Sequence, residues 1–457
     1  MVSASEQLAQ NFRPGTFFKA KELQQRLLFT LGILIIYRLG TYIPVPGVNL
    51  NQFQTFLDAG AAGGFADRMS MFTGGAVERM AIFALNVMPY ISASIIMTLM
   101  KGSIPSLKEL DKDGQQGRQQ INQYTRYLTL ALATFQAFGV AKLIEGSGAA
   151  LLSGPFFYTS TVICLVGGTM FLMWLGEQIT ARGVGNGLSI IIFAGIVAEL
   201  PRAIFQVFSL NSQTSVVSTQ LLLFLIALFI ALSVLIVFVE RAQRRLLVQY
   251  PKRQMARGRQ FGGESSFMPL KLNTAGVIPP IFASSLLILP VTLAPLMLGA
   301  DGSGAGGIGT TILAALGYGQ PIYLALYGLL IIFFCYFYVP YVFKPDDVAD
   351  NLRKNGGFIP GIRPGARTAD YLTYVLSRLT FIGAVYVAFV CVVPEIVIAQ
   401  NKGIPPSVAM LIGGMSLLII VSVTLDTVSQ IQSHLIAHQY EGLIKKSRMR
   451  RRAKGKT

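Results

Sequence analysis

Long uncharged runs recur along this chain with the length expected of membrane-spanning helices. The clearest extends from Leu221 to Val239 and contains no charged residue. A bilayer core of about 30 Å needs roughly 20 apolar residues of helix to cross it. Ten segments come near that length, at 27–45, 76–100, 124–143, 156–177, 188–208, 217–239, 274–298, 320–343, 371–393 and 405–426. The pattern predicts an all-α polytopic membrane protein.

The composition agrees with this interpretation. Of 457 residues, 53% are hydrophobic and only 13% are charged, against about 25% charged in soluble proteins. The three cysteines, Cys164, Cys335 and Cys391, all lie in apolar spans, which favours inert core residues over a disulfide framework. His434 and His438 are spaced for a helical metal site, but no third ligand is evident. We therefore expect no metal and no other cofactor.

Positive charge is distributed unevenly along the chain. Lys and Arg number 38 against 21 Asp and Glu, a net charge of +17. In a soluble protein this balance would suggest a nucleic-acid partner, whereas in a membrane protein it follows the positive-inside rule. With the N-terminus inside, most cationic residues fall in the inner segments 1–26, 101–126, 178–186, 240–273, 344–370 and 429–457. Both termini are therefore predicted to be cytoplasmic.

The number of spans suggests an internal symmetry. Ten spans divide into two halves of five, and because five is odd the second half would be inverted, as in many transporters and channels. The predicted organisation is an amphipathic cytoplasmic N-terminus (1–26), an N-terminal half (27–210), a sixth span (211–239), a basic loop (240–273), spans seven and eight (274–343), a second basic loop (344–370), spans nine and ten (371–428) and a basic tail (429–457).

One segment before the second span does not fit the regular pattern. Residues Leu57–Gly75 are glycine-rich and only weakly apolar, too short and too polar to cross a bilayer. Such a segment can fold back as a half-helix where protein or a water-filled cavity shields it. A plain external loop is the alternative.

The two long cytoplasmic loops, Glu240–Asn273 and Lys344–Asp370, are both basic. Functional residues are often on such loops, which favours the docking of a cytoplasmic partner. Alternatively, their charges only fix the topology and attract anionic lipids.

The spans lack the chemistry of an enzyme or an ion-coupled carrier. The centres of the second, third, fifth, seventh and tenth spans hold no ionisable residue, and the sequence contains no HExxH or GxxxxGK[ST] motif. A pore closed by an apolar constriction remains. Helical spacing pairs Val87 with Ile91 and Leu188 with Ile192, although aliphatic residues at this spacing usually face lipid or a neighbouring helix.

Several motifs are more specific. They are ALNVMPYISASIIMTLM in the second span, GEQITARGVGNGLSIIIFAGI between the fourth and fifth, LNTAGVIPPIFASSLL at the seventh, GFIPGIRPG in the second basic loop, and GGMSLLIIVSVTLDTVSQIQSHLIAHQYEGLIKK at the end. In this order they closely resemble bacterial members of the SecY family, the central channel subunits of the Sec protein translocase. The resemblance extends from about Phe17 to Lys446.

The resemblance implies a clamshell of two inverted five-helix halves around a central pore. It implies a ring of aliphatic residues at the constriction, Val87, Ile91, Leu188, Ile192, Ile281 and Ile419. It implies a plug at about residues 60–75, with Phe65, Met69, Phe72 and Gly74, and a lateral gate with Ser92 and Leu289. It implies docking of the SecA ATPase or the ribosome at Arg257, Arg259 and Arg363.

The function implied by the resemblance is transport of unfolded secretory polypeptides across the bacterial plasma (inner) membrane, with lateral release of hydrophobic segments. The implied partners are SecE, SecG, SecA, the ribosome and signal-sequence-bearing precursors. SecD, SecF, YidC and anionic lipids are further candidates. The alternatives are an inverted-repeat secondary solute transporter, which needs a polar midplane site, a membrane-embedded enzyme, which needs convergent titratable residues, and a nucleic-acid-binding protein, suggested by the basic tail.

Overall fold

The computed structural model describes residues 21–58, 73–151, 154–213, 219–250, 265–287, 320–400 and 413–454. Within these ranges the protein is mainly helical. The helices are α1 (Lys21–Gly40), α2 (Leu50–Asp58), α3 (Met88–Ser103), α4 (Pro105–Lys112), α5 (Gln115–Gly146), α6 (Pro155–Arg182), α7 (Gly187–Gln213), α8 (Thr219–Arg241), α9 (Ile278–Leu287), α10 (Pro321–Val342), α11 (Pro345–Lys354), α12 (Ala366–Gln400) and α13 (Gly414–Lys454). Two strands, β1 (Gln243–Gln249) and β2 (Ser265–Lys271), lie between α8 and α9.

Each of the ten predicted spans overlaps a helix in the described part of the chain. Seven of these helices, α5, α6, α7, α8, α10, α12 and α13, are long and apolar enough to cross a membrane. The other three are α1, which has Glu22 in its first turn and Arg38 in its last, α3, which has 16 residues, and the shorter apolar helix α9.

The chain forms two compact units. The first consists of Met1–Pro201 and Val423–Thr457, and the second of Arg202–Ser422. The boundaries fall inside α7 and α13, so both of these helices contribute to both units.

In the first unit, α5 and α6 form a packed pair to which other helices attach. Helix α6 also contacts α1, and α5 also packs against α3. Leu165, Leu172 and Ile179 recur every seven residues along α6 and are completely buried, as expected for one face of a packed helix. A bidentate pair between Arg126 of α5 and Glu177 of α6, with Nη2 2.7 Å from Oε2, adds a polar tie between these helices.

The connection between α6 and α7 is held by two other helices of the first unit. The Val184 amide donates to Thr30 Oγ1 of α1 at 3.2 Å, and the Gly185 amide donates to Gln430 Oε1 of α13 at 2.7 Å. Val184 also packs in an apolar cluster with Leu23 and Leu435. These contacts set the position from which α7 begins.

In the second unit, the first basic loop forms a two-stranded antiparallel sheet, with Gln243 opposite Lys271 and Gln249 opposite Ser265. This pairing was not predicted from the sequence. Only Leu246 and Val248 of β1 are buried, so the apolar alternation is too short to indicate a strand among the surrounding charges.

The two basic loops form one packed structure. Gln249 and Phe358 exchange backbone hydrogen bonds of 2.9 and 3.0 Å, which joins β1 to the segment after α11. Beneath this junction lies an apolar cluster of Leu246, Leu270, Ile359, Leu372, Val375 and Leu379. We call β1, β2, α11 and the first turns of α12 the platform. The first turns of α12 contribute Leu372, Val375 and Leu379 to the platform core, so the helix begins at Ala366, earlier than the predicted span.

We predict that Leu372→Ala loosens the platform. Leu372 is completely buried in its core, and truncating a buried leucine costs about 2–5 kcal/mol. Hydrogen exchange of the purified protein should show faster exchange in β1 and β2. Tyr374→Ala is the matched control, since Tyr374 lies on the same helix and is 60% exposed. Equal protection of the strands in both variants would contradict the shared core.

Candidate functional site

The predicted second span is helical only from Met88, which corrects the continuous helix expected over 76–100. The preceding run, Gly74–Val87, is a series of turns. Met80 and Asn86 adopt positive φ angles of 40° and 49° there, which a helix does not allow. Pro89 in the first turn of α3 favours a helix start at this point, because its missing N–H would have no helical partner.

Val87 and Ile91 lie at this helix start. The Ile91 amide donates to the Val87 carbonyl at 3.0 Å, forming the first backbone hydrogen bond of α3. Val87 is 1% exposed and Ile91 8% exposed. Their orientation therefore depends on how the irregular run before them is held.

The run is held by close backbone packing against α1 and α6. Phe83 stacks between Tyr37 and Phe171, with both pairs of ring centroids 6.2 Å apart. A Cβ at Gly40 would collide with the Phe83 ring, and one at Gly168 would collide with the Ile82 carbonyl oxygen. Only residues without side chains allow this approach, so two glycines fix the path of the chain into Val87.

One face of α7 carries two of the predicted constriction residues. Leu188, Ile192, Gly195 and Glu199 follow the spacing i, i+4, i+7 and i+11, which places them on the same side of the helix. Ile192 is buried and Leu188 is half-buried. Leu188 is in close contact with α6, where a Cβ on Gly176 would lie 2.7 Å from Leu188 Cδ2.

The far end of this face contacts the beginning of the irregular run. A Cβ on Gly74 would lie 2.9 Å from the Gly195 carbonyl oxygen, and one on Gly75 would lie 2.7 Å from Glu199 Oε1. Both glycines have positive φ, 62° and 77°, which also disfavours a side chain. The Gly74 carbonyl accepts a hydrogen bond from Arg38 Nη1 at 3.0 Å. Gly74, a predicted plug residue, is thus wedged between α1 and α7.

A cluster of charges surrounds the two glycines. Glu199 Oε1 lies 3.5 Å from Arg79 Nη2 and 3.8 Å from Arg38 Nη2. Both guanidinium groups lie over the Tyr42 ring, 4.4 Å from its centroid for Arg79 and 5.1 Å for Arg38. We call Arg38, Tyr42, Arg79 and Glu199 the charged clamp. The sequence analysis did not identify the charged clamp, although Glu199 lies two helical turns after Ile192 on the same face of α7.

The remaining predicted constriction and lateral-gate residues that the structure describes are Ser92, Ile281 and Ile419. Ser92 is 5% exposed in α3 of the first unit. In the second unit, Ile281 is half-buried in α9, where its carbonyl accepts from Ser284 Oγ at 2.9 Å, and Ile419 is 1% exposed in α13. Four constriction residues thus belong to one unit and two to the other, and the ring as a whole stays a prediction.

Arg363 is presented by the platform. It lies between Gly361 and Gly365, whose φ angles are 83° and 107°, so the chain turns sharply on both sides of it. Ile359 anchors the turn in the apolar core, and Thr368 Oγ1 donates to the Arg363 carbonyl at 2.9 Å. The side chain is exposed. A rigid turn therefore displays a guanidinium group that a partner can reach.

Some predicted site residues lie outside the described ranges, namely Phe65, Met69, Phe72, Arg257, Arg259 and Leu289. Among the residues that the structure does describe, no group of three or more His, Cys, Asp or Glu side chains could hold a metal ion.

Comparison with known proteins gives a consistent assignment. Residues 81–428 match the family model SecY. A relative from Vibrio cholerae, named protein translocase subunit SecY, is 46% identical over 447 residues, which cover 96% of this chain and 98% of the relative.

The fold is shared with solved structures. One is described by the finding that the plug domain of the SecY protein stabilises the closed state of the translocation channel and maintains a membrane seal. It matches with a TM-score of 0.61 at 18% identity, over 90% of this chain and 92% of its own. Another is Sec61 in the canine ribosome–channel complex from the endoplasmic reticulum, with a TM-score of 0.57 at 17% identity and the same coverage. The predicted fold class is confirmed.

We predict that alanine has different effects at two neighbouring glycines of α6. Gly168→Ala should destabilise the protein by about 1–3 kcal/mol, because its methyl group would collide with the Ile82 carbonyl oxygen. Gly167→Ala should be neutral or slightly stabilising, because that position has open space and alanine favours helix. Thermal unfolding in detergent measures both. Equal melting temperatures would show that the approach of α6 to residues 82–83 is not tight.

Proposed function

Because the chain belongs to the SecY family, we propose that it forms a protein-conducting channel, which passes unfolded secretory polypeptides across the membrane and releases hydrophobic segments sideways into it. The observation that carries this proposal is the placement of aliphatic residues at two helix starts of the first unit, Val87 and Ile91 in α3 and Leu188 and Ile192 in α7. Each start is held by glycine packing, which suits a constriction of constant shape.

The aliphatic ring explains how such a channel can pass a chain and still be tight when idle. Val87, Ile91, Leu188 and Ile192, with Ile281 and Ile419, offer no charged group to which a moving polypeptide could bind. A narrow apolar passage also excludes water, and therefore ions. A sufficiently hydrophobic segment leaves sideways, because lipid is its better solvent. We place Ser92 and Leu289 at this lateral exit.

A plug at about residues 60–75 adds a second barrier. Gly74 lies at the C-terminal end of the proposed plug. Its contact with Gly195, on the α7 face that carries Leu188 and Ile192, supports a plug at this position. With a rise of about 1.5 Å per residue, Gly195 lies only about 4.5 Å along the helix from Ile192. Phe65, Met69 and Phe72 are the other proposed plug residues.

The driving force comes from a partner in this proposal, since the sequence contains no GxxxxGK[ST] phosphate loop. The platform supports docking, because it displays Arg363 on a turn anchored by Ile359, and we add Arg257 and Arg259 from the residues between its two strands. SecA or a translating ribosome would bind there, and arginines favour the phosphates of ribosomal RNA. The ribosome-bound Sec61 complex supports the second partner.

We further propose that the chain acts in the bacterial plasma membrane together with SecE and SecG, on precursors that carry signal sequences. SecD, SecF, YidC and anionic lipids are further candidate partners. The distribution of Lys and Arg supports cytoplasmic N- and C-termini. The solute-transporter alternative is not favoured, because the relative is a protein translocase subunit and the matching structures are channels.

A crosslink tests the function and the pore together. A photoreactive residue replaces Ile91, and the protein is reconstituted in liposomes with SecE, SecG, SecA, ATP and a precursor arrested by a folded C-terminal domain. We expect an ATP-dependent adduct to the precursor, because a chain in transit must pass the constriction. Phe156, which is 77% exposed at the start of α6, is the control position and should give none.

The outcomes of this experiment separate two errors. Transport without an adduct at Ile91 would leave the function intact and remove Ile91 from the constriction. If verified components gave neither transport nor adduct, the solute-transporter alternative would have to be reopened.

We predict that Arg363→Glu slows SecA-driven transport about tenfold, because reversing a charge at a docking surface places like charges against each other. Arg353→Glu is the matched control, since Arg353 is also exposed and lies in the last turn of α11. Initial rates of precursor protection from protease measure the effect. Equal rates for both variants would remove Arg363 from the docking site.

A further inference from the structure

The charged clamp ties together three parts of the first unit that are distant in sequence. Arg38 ends α1, Glu199 lies on α7, and Arg79 belongs to the irregular run that leads to Val87. Glu199 is the carboxylate common to both arginines, at 3.5 Å from Arg79 and 3.8 Å from Arg38. Removing its charge therefore weakens both links at once.

The clamp grips the irregular run at two points. Arg38 donates to the Gly74 carbonyl at 3.0 Å, and Glu199 holds the Arg79 side chain five residues later. Gly74 and Gly75 contribute no side chains of their own, so the Arg38 contact holds this part of the run against α1 and the Glu199 contact holds it against α7. The run then has a defined position relative to Leu188.

The exposure of the three charged side chains sets the strength of the clamp. The side chains of Glu199, Arg79 and Arg38 are 13%, 25% and 30% exposed. Fully exposed ion pairs contribute almost nothing, whereas removing one partner of a buried pair is strongly destabilising. This clamp lies between these limits. It can bias the position of the run and still open during transport.

We propose that Glu199 is a positioning residue that holds Gly74–Arg79 against the α7 face of Leu188 and Ile192, and so keeps the idle channel tight to ions. This inference rests on the proposed channel function. Glu199 itself need not touch the translocating polypeptide. It acts through the two arginines on the backbone that leads to the constriction residue Val87.

The test uses Glu199→Gln in the reconstituted translocase, in liposomes loaded with iodide and without precursor or SecA. Glutamine keeps the size of the side chain and removes its charge. We expect iodide to leak from the idle channel about ten times faster than from the wild type, because the closed state is stabilised less when two charge-assisted contacts are weakened. Precursors with a defective signal sequence should also be transported faster, which a general loss of stability would not produce.

Two further variants separate positioning from misfolding. Glu145→Gln neutralises a carboxylate that accepts a hydrogen bond from Tyr158 at the connection of α5 and α6 and makes no contact in the charged clamp, so it should keep the wild-type leak. The exchange Arg79→Glu with Glu199→Arg keeps two cations and one carboxylate in the clamp. It should restore at least part of the tightness lost in Glu199→Gln.

The results distinguish this inference from the function on which it rests. If the wild type transports precursor but Glu199→Gln is as tight as the wild type, the positioning role is wrong and the channel stands. A leak of Glu145→Gln equal to that of Glu199→Gln, or no recovery in the charge exchange, would also overturn it. If the wild type transports no precursor, the channel function itself fails.

Discussion

Non-helical backbone in a membrane protein must find hydrogen-bond partners within the protein, and Gly74–Val87 is such a stretch. The Ile82 amide donates to the Ile43 carbonyl at 2.9 Å, and the Val45 amide to the Met80 carbonyl at 2.8 Å. The connection after α1 thus acts as a partner strand for the run before α3. The start of α3, the wedge at Gly74 and the clamp at Glu199 all depend on this pairing.

The same constraint explains why glycines and arginines gather here. A backbone that pairs with another backbone leaves little space for side chains, so α6 approaches it at Gly168 and α7 at Gly195. Where carbonyl groups remain, as at Gly74, an arginine side chain supplies the donor. Glycines that leave space and an arginine that donates a hydrogen bond therefore both accommodate the non-helical backbone.

Much of the fold could be predicted, because apolar runs of the length of a bilayer are a strong and local signal. The start of α3 could not, since the positive φ of Met80 and Asn86 leaves no mark in hydropathy. The predicted constriction residues came from family motifs, because an aliphatic pair at helical spacing is ordinary in any span. The clamp was missed because its arginines are 41 residues apart and Glu199 is 120 residues further along the chain.

The platform core has a mechanical consequence for α12. Leu372, Val375 and Leu379 bind the first turns of this helix to the two loops, and the helix then continues to Gln400 with one interior proline, Pro394. At about 1.5 Å per residue, the part of α12 before Pro394 is a rod of roughly 42 Å, about half of it beyond the platform. A load applied to the loops is therefore not absorbed by a slack linker. The force is transmitted through the helix and acts as a torque on the membrane-crossing portion of α12.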